Sequence, residues 1–125
     1  MSSLGRTCLV LAALSGGVAV IAGAYAAHGP LVAGPRQWIA TGAHFELTHA
    51  LAVFACVFVA SLGAHRALWA AVLFLIGAAL FSGSLYALAL GAPKLIGLAT
   101  PVGGLALIAG WFVLAWACAS LKKPA

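Results

Sequence analysis

The sequence contains no Asp and a single Glu, and charged residues make up only 6% of its 125 positions. A soluble domain carries about a quarter charged residues, so no water-facing surface can be assembled from this composition. The missing acids also remove catalytic options. A Ser/His/Asp triad has no Asp to use, no glycine-rich loop follows a strand, and hydrolase and nucleotide-binding readings both fail. The three cysteines, Cys8, Cys56 and Cys118, lie far apart in apolar stretches with no C-x-x-C pair. That pattern argues against a disulfide framework or a structural zinc site. The net charge is +5, but the basic residues stand singly at Arg6, Arg36, Arg66 and Lys94, with one pair at Lys122 and Lys123. A phosphate-binding surface needs them clustered on one face, so no nucleic-acid partner is expected.

What the chain has instead is 66% apolar residues. A helical crossing of a bilayer uses about 20 of these. Four apolar runs, at about residues 7–27, 38–62, 67–90 and 101–120, each end at Gly, Pro or a charge. The expected fold is all-α: an integral membrane bundle of four transmembrane helices with short loops, forming one domain over residues 1–125. Residues 91–100 are expected to lie against the interface, with Thr100 capping a fourth helix whose first position is Pro101. One continuous helix kinked at Pro101 is the competing view. The first run follows Arg6 and contains a small-x-small string, Ala24-Tyr25-Ala26, but it is longer than the 7–15 or so apolar residues of a secretory signal and reads as helix 1.

With four spans both termini share a side with the 63–66 loop, and that side holds Arg6, Arg66, Lys122 and Lys123 against Arg36 and Lys94 on the other. The positive-inside rule then places both termini in the cytoplasm. Tyr25, Trp38 and Tyr86 fall near outer helix ends and Trp69 and Trp116 near inner ends, as aromatic belts require, while Trp111 is expected to pack between helices. Close packing in lipid comes from small side chains. Ala19, Gly23 and Ala27 on helix 1, Ala79, Gly83 and Ala87 on helix 3, and Gly103, Ala106, Gly110 and Ala117 on helix 4 supply candidate seams.

Few residues carry chemistry. Glu46 and His49 form E-x-x-H on helix 2 and share a face, whereas His44 points about 160° away from Glu46. If the hydrocarbon begins near residue 43, Glu46 lies roughly 5 Å inside it and His49 roughly 9 Å, so a polar cluster near the outer leaflet is expected. His28, at the outer end of helix 1, is the candidate partner of this pair. Ser82, Ser84 and Tyr86 on helix 3, with Thr100, form a second polar group. An ionisable residue inside the membrane is functional by default. The alternative is a hydrogen-bonded Glu46/His49 pair that orients helix 2 against helix 1 or 3. A metal site would need carboxylates from other helices, which this chain lacks, and no metal or other cofactor is expected.

The strings AHG at 27–29, TGAHFELTHALAV at 41–53, LFSGSLYALAL at 80–90 and TPVGGLALIAGW at 100–111 resemble the small inner-membrane proteins grouped as domain of unknown function 423, which include YgdD-like bacterial proteins and eukaryotic transmembrane protein 256. The resemblance implies a multi-span protein of the bacterial inner membrane without an established activity. It maps the family pattern onto His28, His49, Ser82, Gly83, Ser84, Tyr86, Thr100, Pro101, Gly103, Gly104 and Trp111, and implies Gln at position 46, where this chain has Glu. Gly23, Gly83, Gly103, Gly104 and Gly110 are taken as the helix-packing glycines. The expected function is non-enzymatic: an accessory protein that associates with itself or with another membrane protein through Gly/Ala helix faces. A small oligomeric transporter or proton-linked permease is the runner-up, and haem or metal binding through His28 and His49 is a third reading.

Overall fold

In the computed structural model, which describes residues 1–122, the chain forms four long helices and one short one: α1 (Ser3–His28), α2 (Ala33–Ser61), α3 (Ala67–Ala89), a 3-10 turn (Lys94–Leu98) and α4 (Ala99–Ala119). All four long helices are long and apolar enough to cross a membrane. Lys123, one of the charges used for orientation, lies outside the described residues.

The ends of these helices have local causes. The Ser2 hydroxyl accepts from the Gly5 N–H at 3.0 Å and caps α1. At the other end, the Arg36 guanidinium folds back onto the carbonyls of Ala26, Gly29 and Leu31, partners that the last turn of a helix otherwise lacks. α2 begins at Ala33 rather than near residue 38. Gly34, Pro35 and Arg36 read as loop in the sequence, but Pro35 falls in the first turn, where its missing N–H leaves no hydrogen bond unmade. α3 ends on Gly91 at φ +95°, a left-handed conformation that costs glycine little. Ala92 N–H then reaches back to Ala87 C=O at 2.9 Å, which closes a Schellman-type end.

α4 also begins earlier than expected. The 3-10 turn runs directly into it, Leu98 is its N-cap, and Pro101 is its third residue. Thr100 is therefore not the cap. Its hydroxyl is used across the bundle, 2.6 Å from the Ser84 hydroxyl.

Short connections make successive helices antiparallel, so the start of α1 and the end of α4 lie at one end of the bundle. α2 and α3 form the central pair, α1 lies against α2, α4 lies against α3, and α1 and α4 do not touch. Helix faces pack through small residues, but not always through the expected ones. On α1 the buried row is Gly5, Cys8, Ala12, Ala19 and Ala26, and Ala27 is exposed. Gly23 meets Ala43 at ordinary contact distance. α3 and α4 approach closely at Gly103, where a methyl group would run into the Phe81 backbone nitrogen and stand 2.8 Å from the Gly77 carbonyl oxygen. At Gly110 the Phe74 ring occupies the space a Cβ would need, at 2.6 Å. Gly83 has nothing within 4 Å of its missing side chain and Gly104 makes only ordinary contact with Phe81, so neither is a close-packing point. The α3 seam runs instead through Phe74, Gly77, Ala78 and Ser82.

Candidate functional site

Polar chemistry inside the bundle centres on one turn of α2. Counting about 1.5 Å per residue, Glu46 lies roughly 20 Å from the start of α2 and roughly 22 Å from its end. It is therefore near the middle of α2, which has an extra turn ahead of Trp38.

Both oxygens of Glu46 are taken. Ser15 on α1 donates to Oε1 at 2.8 Å, and the Tyr86 hydroxyl on α3 donates to Oε2 at 2.6 Å. The Tyr86 ring reaches this point by lying on α2 at Gly42, where a Cβ would meet ring carbon Cε1 at 2.7 Å. One turn before Tyr86, the Ser82 hydroxyl donates to the Gly42 carbonyl at 2.7 Å. The aromatic ring and the serine thus fix the same stretch of α2 from α3.

His49, one turn on from Glu46, does not bond to it. Its Nδ1 is 2.6 Å from the Phe45 carbonyl oxygen, one turn back on α2, and a carbonyl can only accept, so Nδ1 carries the proton. Nε2 then presents a lone pair, which accepts the indole N–H of Trp111 on α4 at 3.0 Å. These two contacts select the neutral Nδ1–H tautomer. Aromatic rings enclose the imidazole: Phe74 at 5.3 Å, Trp111 at 5.9 Å and Phe45 at 6.1 Å between centroids, with Phe74 and Trp111 in contact at 5.0 Å.

One turn of α2 therefore bonds to all three other long helices: Glu46 to α1 and α3, His49 to α4. Glu46 and His49 are both buried, and no buried side-chain nitrogen or oxygen among the described residues lacks a hydrogen-bond partner. In lipid an interhelical hydrogen bond contributes about 0.6 kcal/mol on average and up to about 1.7. A carboxylate at the bilayer centre costs about 2.5–3.5 kcal/mol on insertion scales. Two hydroxyl donors, together about 1 kcal/mol on average, offset part of such a cost.

The remaining residues expected at the site are placed as follows. Ser84 and Thr100 form their own α3–α4 contact, and Ser84 also donates to the Phe81 carbonyl at 2.9 Å. His28 is exposed at the end of α1. His49 is 16 residues into α2, which puts the two histidines roughly 24 Å apart along the bundle. They cannot ligate one metal or haem, and His28 does not belong to the cluster. Among the described residues no group of three or more His, Cys, Asp or Glu side chains is placed to hold a metal ion. Sequence reasoning missed Ser15, Gly42 and Phe74. Only Ser15 carried a signal, as the one hydroxyl in the middle of helix 1.

Two cavities flank this region. One, of about 490 Å³, lies at the end of the bundle that holds the chain termini and is lined by Gly5, Val57, Phe58, Ser61, His65 and Leu68 among others. The other, of about 220 Å³, is lined by Val18, Ile21, Tyr25, Ile39, Tyr86 and Leu90 with Ala22. Neither is lined by Glu46 or His49.

The family model described as "Protein of unknown function (DUF423)" matches residues 22–104. A UPF0382 membrane protein of Haemophilus influenzae is 43% identical over 111 residues, covering 86% of this chain and 90% of the relative. The UPF0382 inner membrane protein YgdD of Escherichia coli K12 is 35% identical, covering 94% and 93%. The UPF0382 membrane protein YwdK of Bacillus subtilis is 34% identical, covering 87% and 93%. No solved structure matches the chain.

Proposed function

This chain belongs to the DUF423 family and is a multi-pass protein of the bacterial inner membrane, and we propose that it is a non-enzymatic interaction protein, a stiff four-helix unit that offers its lipid-facing helix surfaces to another membrane component. The observation that carries this reading is the saturation of the polar turn on α2. Both carboxylate oxygens of Glu46 and both ring nitrogens of His49 are engaged by a neighbouring helix or by α2 itself. A carrier or catalytic site needs polar groups that face a cavity a substrate can enter, and here they face side chains.

The second reading, a proton-linked permease, is favoured by one feature: the chain's only carboxylate lies at mid-helix, where ionisable residues mark proton and ion paths. Proton flux into vesicles holding the purified protein separates the two. Under the interaction reading, wild type and Glu46→Gln both leave the flux at the level of empty vesicles, and Glu46→Gln still co-purifies with whatever partner the wild type holds. A protein-dependent flux that disappears in Glu46→Gln would overturn it.

Both termini are assigned to the cytoplasm. Arg6, Arg66 and Lys122 stand at their end of the bundle, with Arg66 stacked over Trp116 at 4.1 Å, and Arg36 and Lys94 stand at the other. A reporter active only in the cytoplasm should work when fused to either end. Activity of a periplasm-dependent reporter at those ends would reverse the assignment.

A further inference from the structure

One face of α2 is unlike any other lipid-facing surface of the bundle. Gln37, Thr41, His44, Thr48, Leu51, Ala55 and Phe58 follow one another at alternating intervals of four and three residues. An average interval of about 3.5 is the repeat that keeps one seam of a helix against a partner helix. The first four residues fall within about 60° of one another around the axis, on the side opposite Glu46. The seam is uncovered: Gln37, His44, Thr48 and Ala55 are exposed, Thr41 is half-buried, and Leu51 and Phe58 are each 63% exposed.

Its outer half is polar at a depth where lipid offers no hydrogen bonds. About 30 Å of hydrocarbon centred on α2 would begin near Gln37 and contain Thr41, His44 and Thr48. Gln37 donates to Thr41 at a long 3.3 Å, Thr48 bonds back to the His44 carbonyl of its own helix at 2.8 Å, and the His44 ring makes only an edge contact with Phe45 among the described residues. Amide, hydroxyl and neutral imidazole each donate and accept. Such a seam is complementary to itself, provided that like residues meet at like depth. Copies of one chain inserted in the same orientation meet that condition about a two-fold axis along the membrane normal.

We propose that this α2 seam is the surface on which a second copy of the chain docks, as a parallel α2–α2 pair held by polar contacts among Thr41, His44 and Thr48 and by apolar packing of Leu51, Ala55 and Phe58. The inference rests on the interaction reading and names its partner. The clamp around Glu46 holds the opposite side of α2 in the bundle, and so leaves the seam free to face outward.

The test uses the full chain in the membrane. Single cysteines replace His44, Thr48 or Ala55 in a Cys118→Ser background, with Leu14→Cys on α1 and Leu105→Cys on α4 as exposed controls. Oxidative cross-linking should yield a dimer of this chain from the three seam positions and not from the controls. Independently, energy transfer between labelled copies diluted in lipid vesicles should show that the combined variant Thr41→Leu, His44→Leu and Thr48→Leu weakens pairing at least tenfold, with helical content unchanged. The proposal is overturned by equal cross-linking from the controls, by a monomer at all lipid dilutions, by cross-links only to a different protein, or by a triple variant that pairs as tightly as wild type. A monomeric chain would sink this inference alone, whereas Glu46-dependent proton flux would sink the interaction reading.

Discussion

The Trp111 indole on α4 donates to His49 Nε2 on α2 across 3.0 Å, although these helices otherwise have little direct contact. The bond leaves Nε2 no free lone pair and obliges the proton to sit on Nδ1, against the Phe45 carbonyl. A histidine in the middle of a membrane helix is thereby made a structural acceptor.

Trp111→Phe keeps an aromatic ring beside Phe74 but removes the indole N–H donor and part of the ring surface packed on His49. A loss of about 1 kcal/mol is expected in reversible unfolding from lipid or mild detergent, within the range measured for interhelical hydrogen bonds. Nitrogen NMR of the chain in bilayers at neutral pH should find His49 neutral with its proton on Nδ1. A signal from the Nε2–H tautomer would contradict the arrangement.

The glycines divide by what stands over them. Gly110→Ala pushes a methyl group to 2.6 Å from Phe74, and Gly103→Ala drives one into the Phe81 backbone nitrogen and to 2.8 Å from the Gly77 carbonyl. Each should cost about 1–3 kcal/mol, as overpacking does. Gly83→Ala, with nothing within 4 Å, should be neutral or slightly stabilising because alanine is the better helix former. The same unfolding assay checks all three.

Arg36 closes the end of α1 with a planar, multi-donor side chain. Arg36→Ala removes the side-chain donor from the carbonyls of Ala26 and Leu31, leaves Gly29 C=O with the Leu31 N–H alone, and should raise amide exchange in the last turn of α1, with a loss of about 1–2 kcal/mol. Arg36→Lys should restore only part of it, since an ammonium group cannot span three carbonyls in the same way.

The helix count and the shared face of Glu46 and His49 were legible in the sequence because each depends on composition or local spacing, and the inner-membrane setting came from the resemblance carried by the SGSLY and TPVGG strings. The partners of that face were not. Apolar residues occur on every side of these helices, so hydrophobic periodicity does not mark which side turns inward, and nothing in the spacing of Ser15 or Trp111 ties either to α2. The start of α2 was missed for a local reason: Pro35 looked like loop, yet it fits the first turn of α2 and brings the helix midpoint close to Glu46. Gly83 looked like a seam residue because it recurs at intervals of four with Ala79 and Ala87, but Phe74, Gly77 and Ser82 define the buried side of α3. His28 failed as a partner because chain proximity at the α1–α2 turn does not carry a side chain down to the middle of the bundle.

The central claim is that one turn of α2 holds the bundle together through bonds to its neighbours, and a double-mutant cycle on Glu46 and Tyr86 tests it most directly. Unfolding free energies in bicelles for Glu46→Leu, Tyr86→Phe and the combined variant should reveal a coupling of about 1 kcal/mol between the two sites, with Glu46→Gln keeping most of the wild-type stability. Additive effects within error, or a Glu46→Leu chain as stable as wild type, would contradict the claim.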